Sequence, residues 1–428
     1  MNKKNLRQIC NRIIEHGTCK IYAISKDKNE YKRMRRTLIK ESKENDFEAS
    51  MINDTLLSDS AEQLKNSKEL YLIHDPSDIR KPHSEKLENL GKVRDLNGNI
   101  INGYSTYNIV GIEPGKQNVH LLSHETYSNK DENFLSVKHV EQIENDKDFD
   151  DKEAKSKIYD LGSWFNKKTI TEKNISGVSN KIKELLPEIS LTHILDREFD
   201  SEENFKLIDE LDDFFVIRGK ASRNAKTSND KLISKDFENS VEFKLEKFTC
   251  KRKVYQHATL LVEWEDFAGF NVVRITAKNK DGSNIFKVPM LLFTNKEIKG
   301  GESAFLIYKT YMKRSRIETV FKFLKEGMGW EDAQLRDFEG IKNLLAISFF
   351  LASYLYEIGE QETHDDFIIL LAELGGGKGK VTRHFIFKGI QALLSKYRID
   401  NILEIRKTSP ETIQRMNDMT NMTEIVFE

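Results

Sequence analysis

The chain has few cysteines, and they follow no metal-binding pattern. Cys10, Cys19 and Cys250 leave one cysteine unpaired in any disulfide scheme, and none of them forms a Cys-x-x-Cys pair. This pattern predicts neither a disulfide framework nor a zinc site, and it is typical of a reducing cytoplasm.

Long apolar segments are also lacking. The longest uncharged apolar run, Leu344 to Tyr356, has 13 residues, whereas a helix needs about 20 to cross a bilayer. The residues after Met1 lack the apolar core of a signal peptide. We therefore expect no membrane partner and a cytoplasmic location.

Neither sign of charge is in excess. The 428 residues include 68 Lys and Arg and 69 Asp and Glu, for a formal net charge of −1. Any surface for nucleic acid must therefore concentrate its positive charge locally. The length exceeds what one hydrophobic core usually organises, so several domains or subdomains are expected.

A glycine-rich stretch, LGGGKGK, lacks the pattern of a nucleotide-binding loop. Leu374 stands where the first glycine of a Walker motif is required, and Val381 stands where Ser or Thr should follow Lys380. Nucleotide binding is therefore excluded here.

The most informative stretch is YMKRSRIETVFKFLK, from Tyr311 to Lys325. On a regular helix its polar residues share a sector of about 60°, and its apolar residues form the adjoining arc. The polar residues are Tyr311, Arg314, Glu318 and Lys325, and the apolar ones are Ile317, Val320, Phe321 and Leu324. A carboxylate flanked by cations suits a site for divalent metal and phosphate, although an ordinary helical pair of Glu318 with Arg314 or Lys322 has the same spacing.

The spacing Tyr-x2-Arg-x3-Glu-x6-Lys resembles the signature of DDE transposases of bacterial insertion sequences. In that family the Glu is the third metal-binding carboxylate. The resemblance therefore implies that Glu318 is a catalytic metal ligand. It further implies that Tyr311, Arg314 and Lys325 contact DNA.

A first aspartate stands in ELYLIHDPSDIRKP. Leu70 to His74 is an apolar β-prone run, and we expect the strand to end at Asp75-Pro76 with the carboxylate projecting into a shared site. An Asp that opens a turn before proline is the alternative interpretation. The resemblance implies that Asp75 is the first catalytic carboxylate, with Asp78 as the competitor.

A second aspartate stands in THILDREFDS. Thr192 to Leu195 is predicted as a short buried strand, followed by Asp196, then a helix and a strand from Phe214 to Arg218. An Asp at a strand-to-helix turn is often a helix N-cap, which is the alternative interpretation of Asp196. The resemblance matches Asp196 to the second catalytic metal ligand, with Asp200 as the alternative, and matches Arg197, Arg218 and Lys220 to DNA-contacting positions.

The amino-terminal segment is basic and helical in pattern. Its cations are either phosphate contacts or a solvated face, and the resemblance to transposases with a small amino-terminal DNA-binding domain favours contacts. The candidates are Arg7, Arg12, Lys32, Arg33, Arg35 and Arg36.

The fold expected from these patterns is α/β: an RNase H-like mixed sheet flanked by helices, with a β-rich insertion and helical ends. Strands are predicted between Gly103 and Thr126 and repeatedly between 221 and 290. The predicted divisions are a helical DNA-binding region (1–68), two parts of the catalytic domain (69–220 and 291–360), the insertion (221–290) and a helical carboxyl-terminal region (361–428).

The insertion departs from several family members at one position. Where those relatives have a Trp before the LLFT-like strand, which stacks on a displaced DNA base, this chain has Met290. Another residue, such as Trp264, could supply the stacking, or it could be absent.

The resemblance implies a transposase that binds the terminal inverted repeats of its element, frees a 3′-OH and joins it to target DNA. Two Mg²⁺ or Mn²⁺ ions held by Asp75, Asp196 and Glu318 would serve this chemistry. Double-stranded DNA and a second protomer, paired through the carboxyl-terminal region, are the expected partners. The alternatives are a metal-dependent nuclease without strand transfer and a catalytically inactive, transposon-derived DNA-binding protein.

Overall fold

The protein is described here by a computed structural model. The described residues are 3–39, 49–116, 118–145, 151–159, 164–220, 237–251, 253–267, 269–358, 365–405, 409, 410, 412 and 414. The first part of the predicted insertion (221–236) and the last residues of the chain (415–428) therefore lie outside the described residues.

Ten strands of the described chain form one sheet. They are β1 Glu69–Arg80, β2 Gly91–Arg94, β3 Ile100–Ile112, β4 His120–Tyr127, β5 Ser190–Leu195, β6 Phe214–Arg218, β7 Asn239–Cys250, β8 Lys253–Phe267, β9 Phe270–Lys278 and β10 Met290–Thr294.

The centre of the sheet has the order β4-β3-β1-β5-β6. β2 pairs with the first residues of β3 and β4 with the later ones, both antiparallel. β1, β5 and β6 are parallel, whereas β3 runs antiparallel to both β1 and β4. Helices cover this mixed sheet, as in an RNase H-like α/β fold, which confirms the predicted fold class.

Thirteen α-helices are present in the described ranges. They are α1 Lys3–His16, α2 Ile21–Ile24, α3 Lys28–Leu38, α4 Ala49–Leu64, α5 Val137–Asn145, α6 Lys152–Tyr159, α7 Lys167–Leu185, α8 Glu202–Glu210, α9 Gly301–Met312, α10 Ser315–Lys322, α11 Phe338–Ile358, α12 Asp366–Leu374 and α13 Arg383–Ile405.

Two large hydrophobic cores of the described residues lie one on each face of the sheet, and a small third cluster joins α12 and α13. α7 and α8 contribute to one core through residues such as Ile175 and Phe205, both fully buried. α9, α10, α11 and the amino-terminal helices contribute to the other, larger core. Burial on both faces fixes the strand register, because a slip of one residue would exchange the two faces of a strand.

The strand that carries Asp75 is longer than predicted. β1 continues through Asp75 and Pro76 to Arg80, because it remains paired with β3 over this whole length. Its parallel pairing with β5 ends earlier, at Ile73 and Ile194. Beyond that point β1 has β3 as its neighbour on one side, so Pro76 removes no ladder hydrogen bond on the other side. Asp75 therefore lies where the β5 side of the sheet opens.

The strands predicted in the insertion are present and extend the sheet. β10 is antiparallel to β6, and β9, β8 and β7 follow outward as an antiparallel meander. The central β sheet and these strands are thus continuous through hydrogen bonds.

α11 is long and apolar enough to cross a membrane by length and composition alone. However, 72% of its apolar window from Phe338 to Glu357 is buried within the protein. It therefore packs as a core helix.

The amino-terminal helices pack onto the body, and ion pairs in this packing engage Arg12 and Arg35 among the candidate DNA-binding cations. Arg12 is 6% exposed and pairs with Glu30, with 3.3 Å between Nη2 and Oε1. Arg35 donates two hydrogen bonds of 2.9 Å to Asp337. Both guanidinium groups therefore stabilise the packing of this region.

Candidate active site

The signature stretch does not form the single regular helix that its pattern predicts. α9 ends at Met312, α10 begins at Ser315, and a π-helical turn follows at Phe323–Gly327. Between the helices, backbone hydrogen bonds connect residues three apart and tighten the turn at Arg314. The predicted apolar arc is nevertheless confirmed, since Ile317, Val320 and Leu324 are fully buried and Phe321 packs against the same core.

The three predicted carboxylates converge on one guanidinium group. Arg314 Nη2 lies 3.0 Å from each carboxylate oxygen of Asp75 and 3.5 Å from Oδ2 of Asp196. Arg314 Nη1 donates to Oε1 of Glu318 at 3.0 Å. Residues about 120 positions apart in the sequence thus meet through a side chain of the signature stretch.

Burial and charge shift the protonation of this cluster. Burial raises the pKa of Asp75 to about 7 against the opposing effect of Arg314, and the carboxylates of Glu198 and Asp196 raise it further. The pKa of Arg314 is also raised, because the attraction of Asp75 and Asp196 outweighs its burial. The carboxylates are therefore not fully neutralised by Arg314, and additional positive charge would stabilise the site.

Asp196 is held from several directions. It follows β5 directly, and its Oδ1 accepts a 3.0 Å hydrogen bond from the hydroxyl of Tyr311 and lies 3.8 Å from Arg218 Nη1. Against the effect of burial, Arg314, the backbone N–H of Arg197 and Tyr311 lower the pKa of Asp196. Tyr311 itself is buried, so it supports the carboxylate from behind.

A line of buried hydrogen bonds crosses the strands beneath the cluster. His74 Nδ1 lies 3.1 Å from the Tyr107 hydroxyl, His74 Nε2 lies 2.9 Å from His193 Nδ1, and His193 Nε2 lies 3.1 Å from Asp213. Asp213 accepts from His193; with both rings neutral, His193 in turn accepts from His74, and His74 accepts from Tyr107. Burial lowers the pKa of His74 well below its ordinary value, in agreement with this neutral arrangement.

These histidines join the two strands that carry the aspartates. His74 directly precedes Asp75 on β1. His193 lies on β5, three residues before Asp196, which directly follows that strand. The hydrogen bond between the two rings fixes β1 against β5, and it thereby helps to set the separation of the two carboxylates.

The alternative aspartates are engaged elsewhere. Asp78 is an odd number of residues from Asp75 on the same strand and so faces away from it; its carboxylate accepts from Ser105 and the Arg94 backbone, each at 3.3 Å. Asp200 is buried and accepts a 2.8 Å hydrogen bond from the backbone N–H of Lys220. The geometry favours Asp75 and Asp196.

A basic cavity opens beside Asp196. It has a volume of about 420 Å³, and its described lining contains five cations and no Asp or Glu. The cations are Arg197, Arg218, Lys251, Lys253 and Lys287, and the lining also includes Tyr255, Phe286 and Met290. Trp264 packs against the larger core and is not among these lining residues.

Two further predicted DNA contacts, Lys325 and Lys220, differ in burial. Lys325 is largely buried, and its amine lies 4.0 Å from Oε1 of Glu331, which also accepts from Arg80 at 2.7 Å. Burial lowers the pKa of Lys325. Lys220 lies two residues after the end of β6 at Arg218, and its side chain is exposed.

Sequence patterns missed two parts of this site. Glu198 adds a further negative charge near Asp75, and the Asp-Arg-Glu context of Asp196 is the signal that could have identified it. Lys251, Lys253 and Lys287 reach the cavity only because the β7–β8 turn and the segment before β10 fold beside β6. No local pattern connects these lysines.

The carboxylates suit a divalent metal in their chemistry, because Mg²⁺ and Mn²⁺ prefer hard oxygen ligands. Two of them already converge on one cationic atom, Arg314 Nη2. Within the described residues, however, no three His, Cys, Asp or Glu side chains are close enough together to hold a metal ion. The donor set fits a metal, but the guanidinium of Arg314 stands between the donors.

A comparison with protein families matches part of the chain. Residues 180–355 match the family described as the transposase DDE domain, a region that contains Asp196 and Glu318 and begins after Asp75. This match supports a DDE transposase, a class of enzyme that acts on DNA and generally uses divalent metal ions. A search of curated proteins found no match.

Proposed function

We propose that this chain is a DDE transposase that cleaves DNA at the terminal inverted repeats of its element and joins the freed 3′-OH to target DNA. Asp75, Asp196 and Glu318 are the proposed catalytic carboxylates. The observation that supports this most is their convergence on Arg314, since these three positions were selected from separate motifs.

The carboxylates would hold the metal ions. Two bound Mg²⁺ or Mn²⁺ ions would stabilise the attacking and leaving oxygens of the phosphodiester. Tyr311 holds Asp196 in place through its hydroxyl, and the hydrogen bond between His74 and His193 holds the two aspartate-bearing strands together.

The basic residues would hold the DNA beside the carboxylates. Arg197, Arg218 and Lys253 line the cavity next to Asp196, where phosphates would meet concentrated positive charge on a chain of almost no net charge. Arg314, Lys325 and Lys220 are the further proposed contacts, whereas Tyr311, also predicted as a contact, is buried and donates to Asp196. A homodimer is proposed for the DNA complex, and light scattering on that complex measures its stoichiometry.

The test is DNA cleavage by single-site variants. Purified protein is incubated with labelled repeat-end DNA and Mg²⁺, and Asp75→Asn, Asp196→Asn and Glu318→Gln are compared with the wild type. We expect each variant to lose cleavage while still binding the DNA, because each keeps the side-chain volume and removes one charge from the metal site.

Asp78→Asn is the matched control, because Asp78 lies on the same strand and faces away from the cluster. Cleavage by Asp78→Asn should remain near the wild-type level. Wild-type cleavage by any one of the three carboxylate variants would remove that residue from the proposed catalytic set.

A further inference from the structure

The centre of the carboxylate cluster is filled by a side chain of the protein. Arg314 Nη2 lies within 3.5 Å of both Asp75 and Asp196, and Nη1 lies 3.0 Å from Glu318. The three carboxylates therefore share one positive charge, and the position that reaches all of them is occupied by atoms of the guanidinium.

A metal ion and this guanidinium exclude each other. Mg²⁺ binds carboxylate oxygens at about 2.0–2.1 Å, so an ion between Asp75 and Asp196 would overlap Arg314 Nη2. The two cations would also repel each other strongly at such a separation in a largely buried site. Metal binding by all three carboxylates therefore requires Arg314 to leave.

Arg314 is held in a way that permits this movement. Its Nε is buried and has no hydrogen-bond partner in the described part of the protein, so its polar contacts are those of the two terminal nitrogens with the carboxylates. The residue also lies in the tight turn between α9 and α10, at the edge of the regular helices. A guanidinium pairs with phosphate in the same bidentate manner as with carboxylate.

We propose that Arg314 closes the metal site in the DNA-free protein, and that the transfer of its guanidinium to a DNA phosphate opens the site to divalent ions. The inference rests on the proposed function, since it takes the carboxylates as the metal site and DNA as the partner. Arg314 then makes metal binding depend on DNA. Because such coupling is reciprocal, metal must also tighten DNA binding.

This arrangement has a functional consequence. A protein without DNA would hold a closed site and would not keep a reactive metal centre exposed to other nucleic acids. The basic cavity at Arg197, Arg218 and Lys253 would bring the phosphates close enough to compete for the guanidinium.

The experiment measures Mn²⁺ binding to the full chain by electron paramagnetic resonance, which reports the free ion and needs no activity. Wild type, Arg314→Ala and Arg314→Met are titrated without DNA. Lys325→Ala is the matched control, because it removes an equal charge from the neighbourhood without vacating the space between the carboxylates. Wild type is also titrated with repeat-end DNA.

We expect Arg314→Ala and Arg314→Met to bind Mn²⁺ about tenfold more tightly than the DNA-free wild type, within the usual range of such couplings. Lys325→Ala should change the affinity far less, and DNA should tighten Mn²⁺ binding to the wild type. In thermal unfolding, Mn²⁺ should raise the melting temperature of Arg314→Met more than that of the wild type, which also shows that this variant is folded.

Two results would overturn the inference, and they differ in what they say of the proposed function. Equal or weaker Mn²⁺ binding by both Arg314 variants, with clear binding by the wild type, would show that Arg314 does not close the site and would leave the proposed function intact. Absence of Mn²⁺ binding in every protein, with and without DNA, would contradict both.

Discussion

The hydroxyl of Tyr311 offers a sensitive test of how Asp196 is held. Tyr311→Phe removes this hydroxyl and keeps the buried ring, so the 3.0 Å hydrogen bond to Asp196 is lost without a large cavity. A hydrogen bond to a charged group contributes about 1.5–3 kcal/mol. Asp196 keeps Arg314 and Arg218 nearby and its side chain is 22% exposed to water, so the lower end, about 1.5 kcal/mol, is expected.

Tyr308 provides the matched control one turn earlier on α9. It is equally buried, but its hydroxyl has no hydrogen-bond partner within the described structure. Because a buried hydroxyl without a partner costs about 1–3 kcal/mol, Tyr308→Phe should leave the free energy of unfolding unchanged or raise it. Two identical chemical changes on one helix should therefore act in opposite directions.

The assay is urea unfolding of the two variants and the wild type, together with their rates of DNA cleavage. Tyr311→Phe should lower the free energy of unfolding and slow cleavage by about tenfold, because about 1.4 kcal/mol of lost orientation corresponds to that factor. Tyr308→Phe should cleave at the wild-type rate. If Tyr311→Phe were as stable as Tyr308→Phe and as active as the wild type, the proposed support of Asp196 would be wrong.

Two further predictions concern charge. Burial raises the pKa of Asp75 to about 7, so the folded state binds the Asp75 proton more tightly than the unfolded chain does. The protonated carboxyl therefore stabilises the folded state; this contribution is complete below about pH 4 and is lost as the pH rises to about 7. In urea unfolding without metal, the wild type should therefore lose on the order of 2 kcal/mol relative to Asp75→Asn between about pH 5 and 7.5, and parallel pH profiles would contradict this. Arg218→Ala should reduce the salt dependence of DNA binding by about one phosphate contact. The control Arg35→Ala breaks an ion pair with Asp337, so it should lower stability and keep the wild-type salt slope. If Arg218→Ala instead lowered stability and kept the wild-type salt slope, Arg218 would be a residue of the fold and not a DNA contact.

Much of the fold followed from local patterns. The apolar run that became β5 and the strand Phe214–Arg218 are both present at or near their predicted bounds. These segments are strongly periodic or fully apolar, and packing on the two faces of the sheet agrees with their intrinsic preference.

Where prediction failed, long-range contacts decided the outcome. β1 continues past Asp75-Pro76 because β3 pairs with it to Arg80, and a local turn signal contains no information about that neighbour. The signature stretch bends at Arg314, where the side chain reaches carboxylates from two distant strands. Arg12 and Arg35 were candidate DNA contacts, and their ion pairs with Glu30 and Asp337 could not be predicted from spacing alone.

The candidate site shows the same division. The resemblance to the transposase motifs selected Asp75, Asp196 and Glu318, and the fold brings them to one guanidinium. The lysines of the basic cavity and the histidine pair beneath the aspartates meet only because distant strands become neighbours, so these residues carry no local signal. The closing role proposed for Arg314 likewise depends on a three-dimensional contact.

The central claim is that one site both cleaves the DNA end and joins its 3′-OH to another DNA. The most direct measurement incubates the protein with repeat-end DNA labelled on the transferred strand, a supercoiled target plasmid and Mg²⁺, and then sequences the junctions. We expect labelled plasmid in which the 3′ end of the repeat is joined to target DNA, and no such product with Asp196→Asn. Efficient end cleavage without any joined product would contradict it and would favour a metal-dependent nuclease of the same fold.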